Sequence, residues 1–229
     1  MTATTNVPEE RTERAAGGLH AHLDAYVMGL GVTSEAKILD LGCGTGAWLS
    51  RFAERGFCNL VGIDIAPPDL PPPNLVFIEG DLNQFGWAEQ ITGEFELVTC
   101  IEVIEHIENL GNFVRNVSIK IGSKGVFIVT TPNVASLRAR LRYLITGRLP
   151  HFDERGDPTH LVPIYPPAFQ RILRRYNLKI SRVWSFPNSR VRGVTSSSAL
   201  IKLSWLLGWL LPDNLPGDIL CFEINKCQN

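Results

Sequence analysis

The stretch Ile38–Trp48, ILDLGCGTGAW, constrains the fold more than any other. It reads as a short apolar strand, a turn with glycines at alternate positions (Gly42, Gly44, Gly46), and the start of a helix. Glycines there permit positive φ and close approach of a ligand to the backbone. Strand runs recur at Asn59–Asp64, Leu75–Ile78, Phe95–Ile101, Gly125–Thr131, Lys179–Phe186 and Asp218–Asn225. Helical patterns lie at Leu19–Leu30, Ala47–Arg55, Phe85–Ile91, Ile107–Ile121 and Pro166–Tyr176. Strands alternating with helices predict an α/β fold, a doubly wound and mainly parallel sheet.

Five prolines in residues 67–73 exclude an ordinary helix between the second and third strands. Two segments break the alternation, about 132–163 and about 187–217, and connections of that length are usually functional. The predicted organisation is a tail at 1–18, then a single domain over 19–229 carrying these two insertions. With 45% apolar and 20% charged residues, the chain is neither disordered nor a disulfide scaffold. Its five cysteines form no CxxC pair, which predicts reduced thiols and a cytoplasmic protein. Residues 1–18 lack the apolar run of a signal peptide. The most apolar stretch, Ala199–Leu211, is too short to span a bilayer, which takes about 20 residues. Within Ser198–Leu211 a lid, a dimer contact and a peripheral membrane-surface helix are the competing readings.

Three acids follow the strands. Asp40 lies in the first strand, Asp64 ends the second, and Asp81 follows the third. The carboxyl ends of parallel strands are where open α/β sheets bind ligands. An acid at Asp64 can accept both ribose hydroxyls of an adenosine, and Asp81 sits where an adenine amino group would be read. The glycine spacing is GxGxG, whereas the dinucleotide fingerprint is GxGxxG. A tight turn and helix-capping acids would account for each feature alone, but not for all of them together.

With these residues the sequence resembles the class I S-adenosylmethionine-dependent methyltransferases, closely over 36–131 and more loosely to the C-terminus. The resemblance implies a Rossmann-like seven-stranded sheet with the last strand antiparallel. It implies S-adenosylmethionine across Gly42–Gly46, with cofactor-binding residues Asp40, Gly42, Cys43, Gly44, Gly46, Asp64, Ile65, Asp81, Leu82 and Ile101. Asp64 would hold the ribose, Asp81 the adenine edge, Ile65 and Leu82 the adenine face, and Asp40 the methionine end. The proline run departs from the family's usual second helix.

The fourth strand runs into Glu102-Val-Ile-Glu105-His106. A helix starting near Val103 would bring Glu102, Glu105 and His106 near one another. Two carboxylates and an imidazole suit a hard divalent metal such as Mg or Mn. His160 would reach over from the first insertion as a further ligand, with His151 as its alternative. The ExxEH pattern, the later His and TTPN at 130–133 resemble the ubiquinone-type O-methyltransferases and the small-RNA 2′-O-methyltransferases. His106 is the candidate catalytic residue, as metal ligand or as general base. His20 and His22 read as surface groups.

Residues 132–192 hold twelve Lys/Arg against three Asp/Glu, although the whole chain has a net charge of −1. Arg138, Arg140, Arg142 and Arg148 follow the fifth strand; Arg171, Arg174 and Arg175 lie farther on. Solvated helix faces are the plain reading; an anionic or lipid-like acceptor is the sharper one. The expected partner is therefore a small-molecule acceptor, not DNA. RNA is a second acceptor class, opposed by the lack of an attached RNA-binding module. A non-catalytic S-adenosylmethionine-binding subunit is the third reading, and the intact glycine loop argues against it.

Overall fold

The structure is a computed structural model, and it describes residues 13–187 and 215–227. Most of the tail at 1–18 and the whole of Ser198–Leu211, with Trp205 and Trp209, lie outside the described residues. Seven strands form one sheet: β1 (Ile38–Leu41), β2 (Leu60–Asp64), β3 (Leu75–Glu79), β4 (Phe95–Ile101), β5 (Ile121–Pro132), β6 (Leu178–Phe186) and β7 (Ile219–Lys226). Their spatial order is β3-β2-β1-β4-β5-β7-β6. Neighbouring strands from β3 to β5 pair in parallel, and β7 runs antiparallel to both β5 and β6. This is the predicted doubly wound sheet with its last strand reversed.

One apolar layer joins α1 (Leu19–Gly29) and α2 (Ala47–Ala53) to the sheet through Leu23, Trp48, Phe52 and Ile128. The opposite layer joins α3 (Leu110–Ser118) and α5 (Pro166–Arg174) through Phe113, Val117, Phe169 and Leu173. Every β1 residue is buried, as a strand covered on both faces requires. The strand order reverses between β1 and β4, so a crevice opens at the carboxyl ends of those two strands.

Three expectations need correction. The helix predicted from Ile107 starts later: Glu102 adopts a left-handed φ of 54°, and only an isolated 3₁₀ turn, Ile104–His106, follows. Ile107 returns to extended backbone, and the Asn109 side chain caps α3 by accepting the Asn112 N–H at 3.0 Å. The segment 132–163 is not a plain loop, because it contains α4 (Leu137–Thr146), capped by Ser136 and closed by Gly147 at φ 67°. His20 is not a surface group: it is 6% exposed. His22 is half-buried and accepts the Trp184 Nε1–H at 2.9 Å. Among the described residues no helix is long and apolar enough to cross a membrane.

Candidate active site

A cavity of about 510 Å³ fills the crevice. Its wall includes Asp40, Gly42, Cys43, Gly44, Asp64, Ile65, Asp81, Leu82 and Ile101, nine of the ten residues expected to hold the cofactor. Gly46 is the exception. A Cβ there would meet Pro72 Cδ at 2.9 Å, so this glycine lets the proline run pack onto the loop. Gly42 has φ +79°, and a Cβ on it would lie 2.5 Å from Val103 Cγ2. Val103 thus occupies the space that a side chain at position 42 would take.

Four N–H groups of the glycine loop donate to the protein's own acceptors. Gly42 N–H and Cys43 N–H both donate to the Ile63 carbonyl, at 2.8 and 3.1 Å. Gly44 N–H donates to Asp64 Oδ2 at 2.7 Å, and Gly46 N–H to the Cys43 carbonyl at 2.8 Å. A pyrophosphate site needs such N–H groups free at the helix start. Here the Gly42, Cys43, Gly44 and Gly46 N–H groups are engaged, and four carboxylates, Asp40, Asp64, Asp81 and Glu102, line the wall. That electrostatics suits a ligand with positive charge and sugar hydroxyls, and it disfavours a dinucleotide.

Each acid is fixed by its surroundings. Asp64 also accepts the Ile65 N–H at 2.7 Å, so both its oxygens are aligned by backbone donors. Asp81 accepts the Asn83 N–H at 2.8 Å, which shapes the turn after β3. Asp40 is 3% exposed and accepts the Thr99 hydroxyl at 2.6 Å. Thr99 in turn receives the Trp48 Nε1–H at 3.1 Å. Burial pushes the Asp40 carboxyl up to about 7, with the Thr99 hydrogen bond opposing the shift.

Around the 3₁₀ turn, Glu105, His106 and His160 each present a ligand atom, all within 4.8 Å of one another. Glu102 is outside this group and accepts the Thr130 hydroxyl at 3.1 Å. His151 contributes its backbone carbonyl, not its ring, at 3.1 Å from His160 Nδ1. Glu105 is 1% exposed, and neither carboxylate oxygen has a hydrogen-bond partner of good geometry, although its own N–H and the Thr131 hydroxyl lie near enough to oppose the upward shift of its pKa. Burial, then the nearby Glu102, holds the Glu105 carboxyl above its usual range; burial does the same to Glu102. An unpartnered buried carboxylate beside two imidazoles is what a cation or a transferable proton would satisfy.

Among the cavity-wall residues that the sequence does not single out are Arg14 and Thr159. Arg14 lies against the loop, its Cδ 3.9 Å from where a Gly44 Cβ would sit. Thr159 lines the wall beside His106. Neither sits in a motif, and only the folded chain brings them there. The arginines expected to meet an anionic acceptor are partly occupied: Arg138 pairs with Asp218 at 3.1 Å, and Arg142 pairs with Asp153.

Residues 12–183 match the family model described as a methyltransferase domain. A ubiquinone biosynthesis O-methyltransferase of Rickettsia typhi is 32% identical over 106 residues, 44% of this chain and 42% of that protein. The protein of the same name from Pseudomonas aeruginosa is 35% identical over 86 residues, 34% of this chain and 37% of that one. The matched region thus spans less than half of either relative. A SAM-dependent methyltransferase from Archaeoglobus fulgidus superposes with a TM-score of 0.62 at 18% identity, covering 91% of this chain and 92% of that one. Magnesium protoporphyrin IX methyltransferase from Synechocystis, solved with bound SAH, gives a TM-score of 0.55 at 18% identity over 90% and 81%. With its sheet order, its acid-lined cavity and this match, the chain belongs to the methyltransferase-domain family, within the class I S-adenosylmethionine-dependent methyltransferases.

Proposed function

We propose that this chain transfers the methyl group of S-adenosylmethionine to a hydroxyl of a small, lipid-like acceptor. The observation that carries the hydroxyl assignment is Glu105, buried and unpartnered beside His106 and His160. The names of the curated relatives support an oxygen acceptor of the ubiquinone-precursor type.

In this reading Asp64 accepts the ribose hydroxyls, Asp81 faces the adenine edge, and Leu82 and Ile65 pack on its ring. Asp40 meets the positively charged methionine end, and Arg14 meets its carboxylate. The acceptor enters over His106. His106 Nδ1 is committed as a donor to the Thr159 carbonyl at 2.9 Å, which leaves Nε2 with a lone pair to receive the hydroxyl proton. The freed oxygen would bond to the methyl carbon as the carbon–sulfur bond breaks, with the electron pair leaving on sulfur as a neutral thioether, and the enzyme's main contribution would be alignment. Leu161, next to His160 and 51% exposed, offers apolar surface to the acceptor's hydrocarbon part.

The residues present also fit a divalent cation: Glu105, His106 and His160 would hold it, a mixed oxygen and nitrogen set. A cation bound there supplies positive charge that favours loss of the hydroxyl proton. The test is methyl transfer from labelled S-adenosylmethionine to hydroxylated aromatics with an apolar tail, with and without chelator. Methyl on oxygen, lost by about 100-fold or more in His106→Gln with cofactor binding intact, supports the reading. Transfer to nitrogen or carbon acceptors alone would refute it.

A further inference from the structure

Of the segment from His151 to Val162 only Thr159 lines the cavity, yet the segment's backbone grips the 3₁₀ turn at three points. The Thr159 carbonyl takes His106 Nδ1–H at 2.9 Å. The Leu161 and Val162 N–H groups both donate to the Glu105 carbonyl, each at 2.9 Å. Between these points the His160 ring turns its Nδ1 to the His151 carbonyl at 3.1 Å. Both imidazoles therefore carry their proton on Nδ1 when neutral, because a carbonyl can only accept. Free histidine in water favours the other tautomer, so the protein imposes this one.

What shapes the turn is Asp157. Its Oδ1 accepts the Thr159 N–H at 2.9 Å and the Thr159 hydroxyl at 2.6 Å. Its carbonyl accepts the His160 N–H at 3.1 Å. Pro158 fixes φ between them. On the other side Gly156 packs so closely on the His151 carbonyl that a Cβ has no room. Asp153 anchors this half to α4 through Arg142, and its carbonyl receives the Gly156 N–H at 2.8 Å.

We propose that Asp157 is a positioning residue: by closing the Asp157–His160 turn it sets His106 and His160 as Nδ1–H tautomers, with both Nε2 lone pairs left for the reaction. The inference rests on the reading of His106 as an acid-base or cation-binding group. Partners of this kind that orient a histidine typically change activity or metal affinity 10- to 100-fold when removed.

The experiment is long-range ¹H–¹⁵N correlation on the full chain with ¹⁵N-labelled histidine, in chelator and at a pH where the imidazoles are neutral. The His106 and His160 signals are assigned by their loss in His106→Asn and His160→Asn. The expected result is a pyridine-type Nε2 on both rings of the wild type. Asp157→Ala should return them toward the Nε2–H form and lower kcat about tenfold or more, with S-adenosylmethionine affinity by calorimetry unchanged. Asp157→Asn, whose amide oxygen can accept both Thr159 bonds, should restore the tautomers and the rate. Nε2–H rings in the wild type overturn the proposal, as do Nδ1–H rings that survive Asp157→Ala. Tautomers that respond to Asp157→Ala while kcat does not would uphold the positioning role and instead refute the function assigned to His106.

Discussion

Replacing Asp40 by Asn should make the protein more stable, and increasingly so as the pH rises. Asp40 is 3% exposed, and its carboxyl is pushed up from 3.8 to about 7, chiefly by desolvation. A group whose pKa rises on folding stabilises the fold only in its protonated form. That contribution is complete below about pH 4 and is lost as the pH climbs through about 7. Three pKa units correspond to about 4 kcal/mol, an upper bound because the denatured chain and local water both soften the shift. Asn cannot titrate, and its amide oxygen can still accept the Thr99 hydroxyl that now lies 2.6 Å from Asp40. The difference in unfolding free energy, variant minus wild type, should grow in the variant's favour between about pH 4 and pH 8. Urea denaturation across that range reads it directly. The cofactor should pull the other way: its positive end favours the carboxylate, so S-adenosylmethionine binding near neutral pH should release a proton from wild type and not from the variant. A stability difference that is flat with pH, or that shrinks, would refute the desolvation argument.

Further consequences follow from the same geometry. Gly42→Ala places a methyl 2.5 Å from Val103 Cγ2 at a φ of +79°. It should cost about 1 kcal/mol in backbone strain and weaken S-adenosylmethionine binding about tenfold or more, as read by calorimetry. Trp48→Phe removes the buried donor that Thr99 accepts at 3.1 Å, and denaturation should show a loss of about 1–3 kcal/mol. Glu105→Gln removes a carboxyl whose pKa burial raises, so its effect on stability should become more favourable as the pH rises. The same variant should lose any thermal shift that Mg or Mn gives the wild type.

The glycine-and-acid wall of the cavity is legible in the sequence because its signals are local. The glycine turn, Asp64 and Asp81 each follow a strand directly, and parallel strands bring their ends to one edge. The side of the cavity around His106 depends on distant segments, which sequence spacing brings together only in part. His160 does come to Glu105 and His106, since residues 132–163 leave the sheet at the ligand edge. Glu102 does not join them, because its left-handed backbone turns its carboxyl toward Thr130. The late start of α3 was concealed by the apolar run through Ile107; the Asn109 cap was the available signal. Helical periodicity does not show the burial of His20, which depends on Glu13, 3.4 Å away, and on the Trp48 ring packed against it. Charge counting likewise could not reveal that Arg138 and Arg142 already have partners, Asp218 and Asp153.

In the proposed reading the acid-lined cavity holds S-adenosylmethionine through Asp64. Calorimetric titration of the cofactor into the wild-type chain and into Asp64→Ala tests it most directly. Asp64 accepts two backbone N–H groups at 2.7 Å each and would also receive the ribose hydroxyls. Its loss should weaken a one-to-one complex by about 100-fold, the equivalent of one or two charge-assisted hydrogen bonds. No saturable binding to the wild type, or equal affinity in the two proteins, would contradict the account.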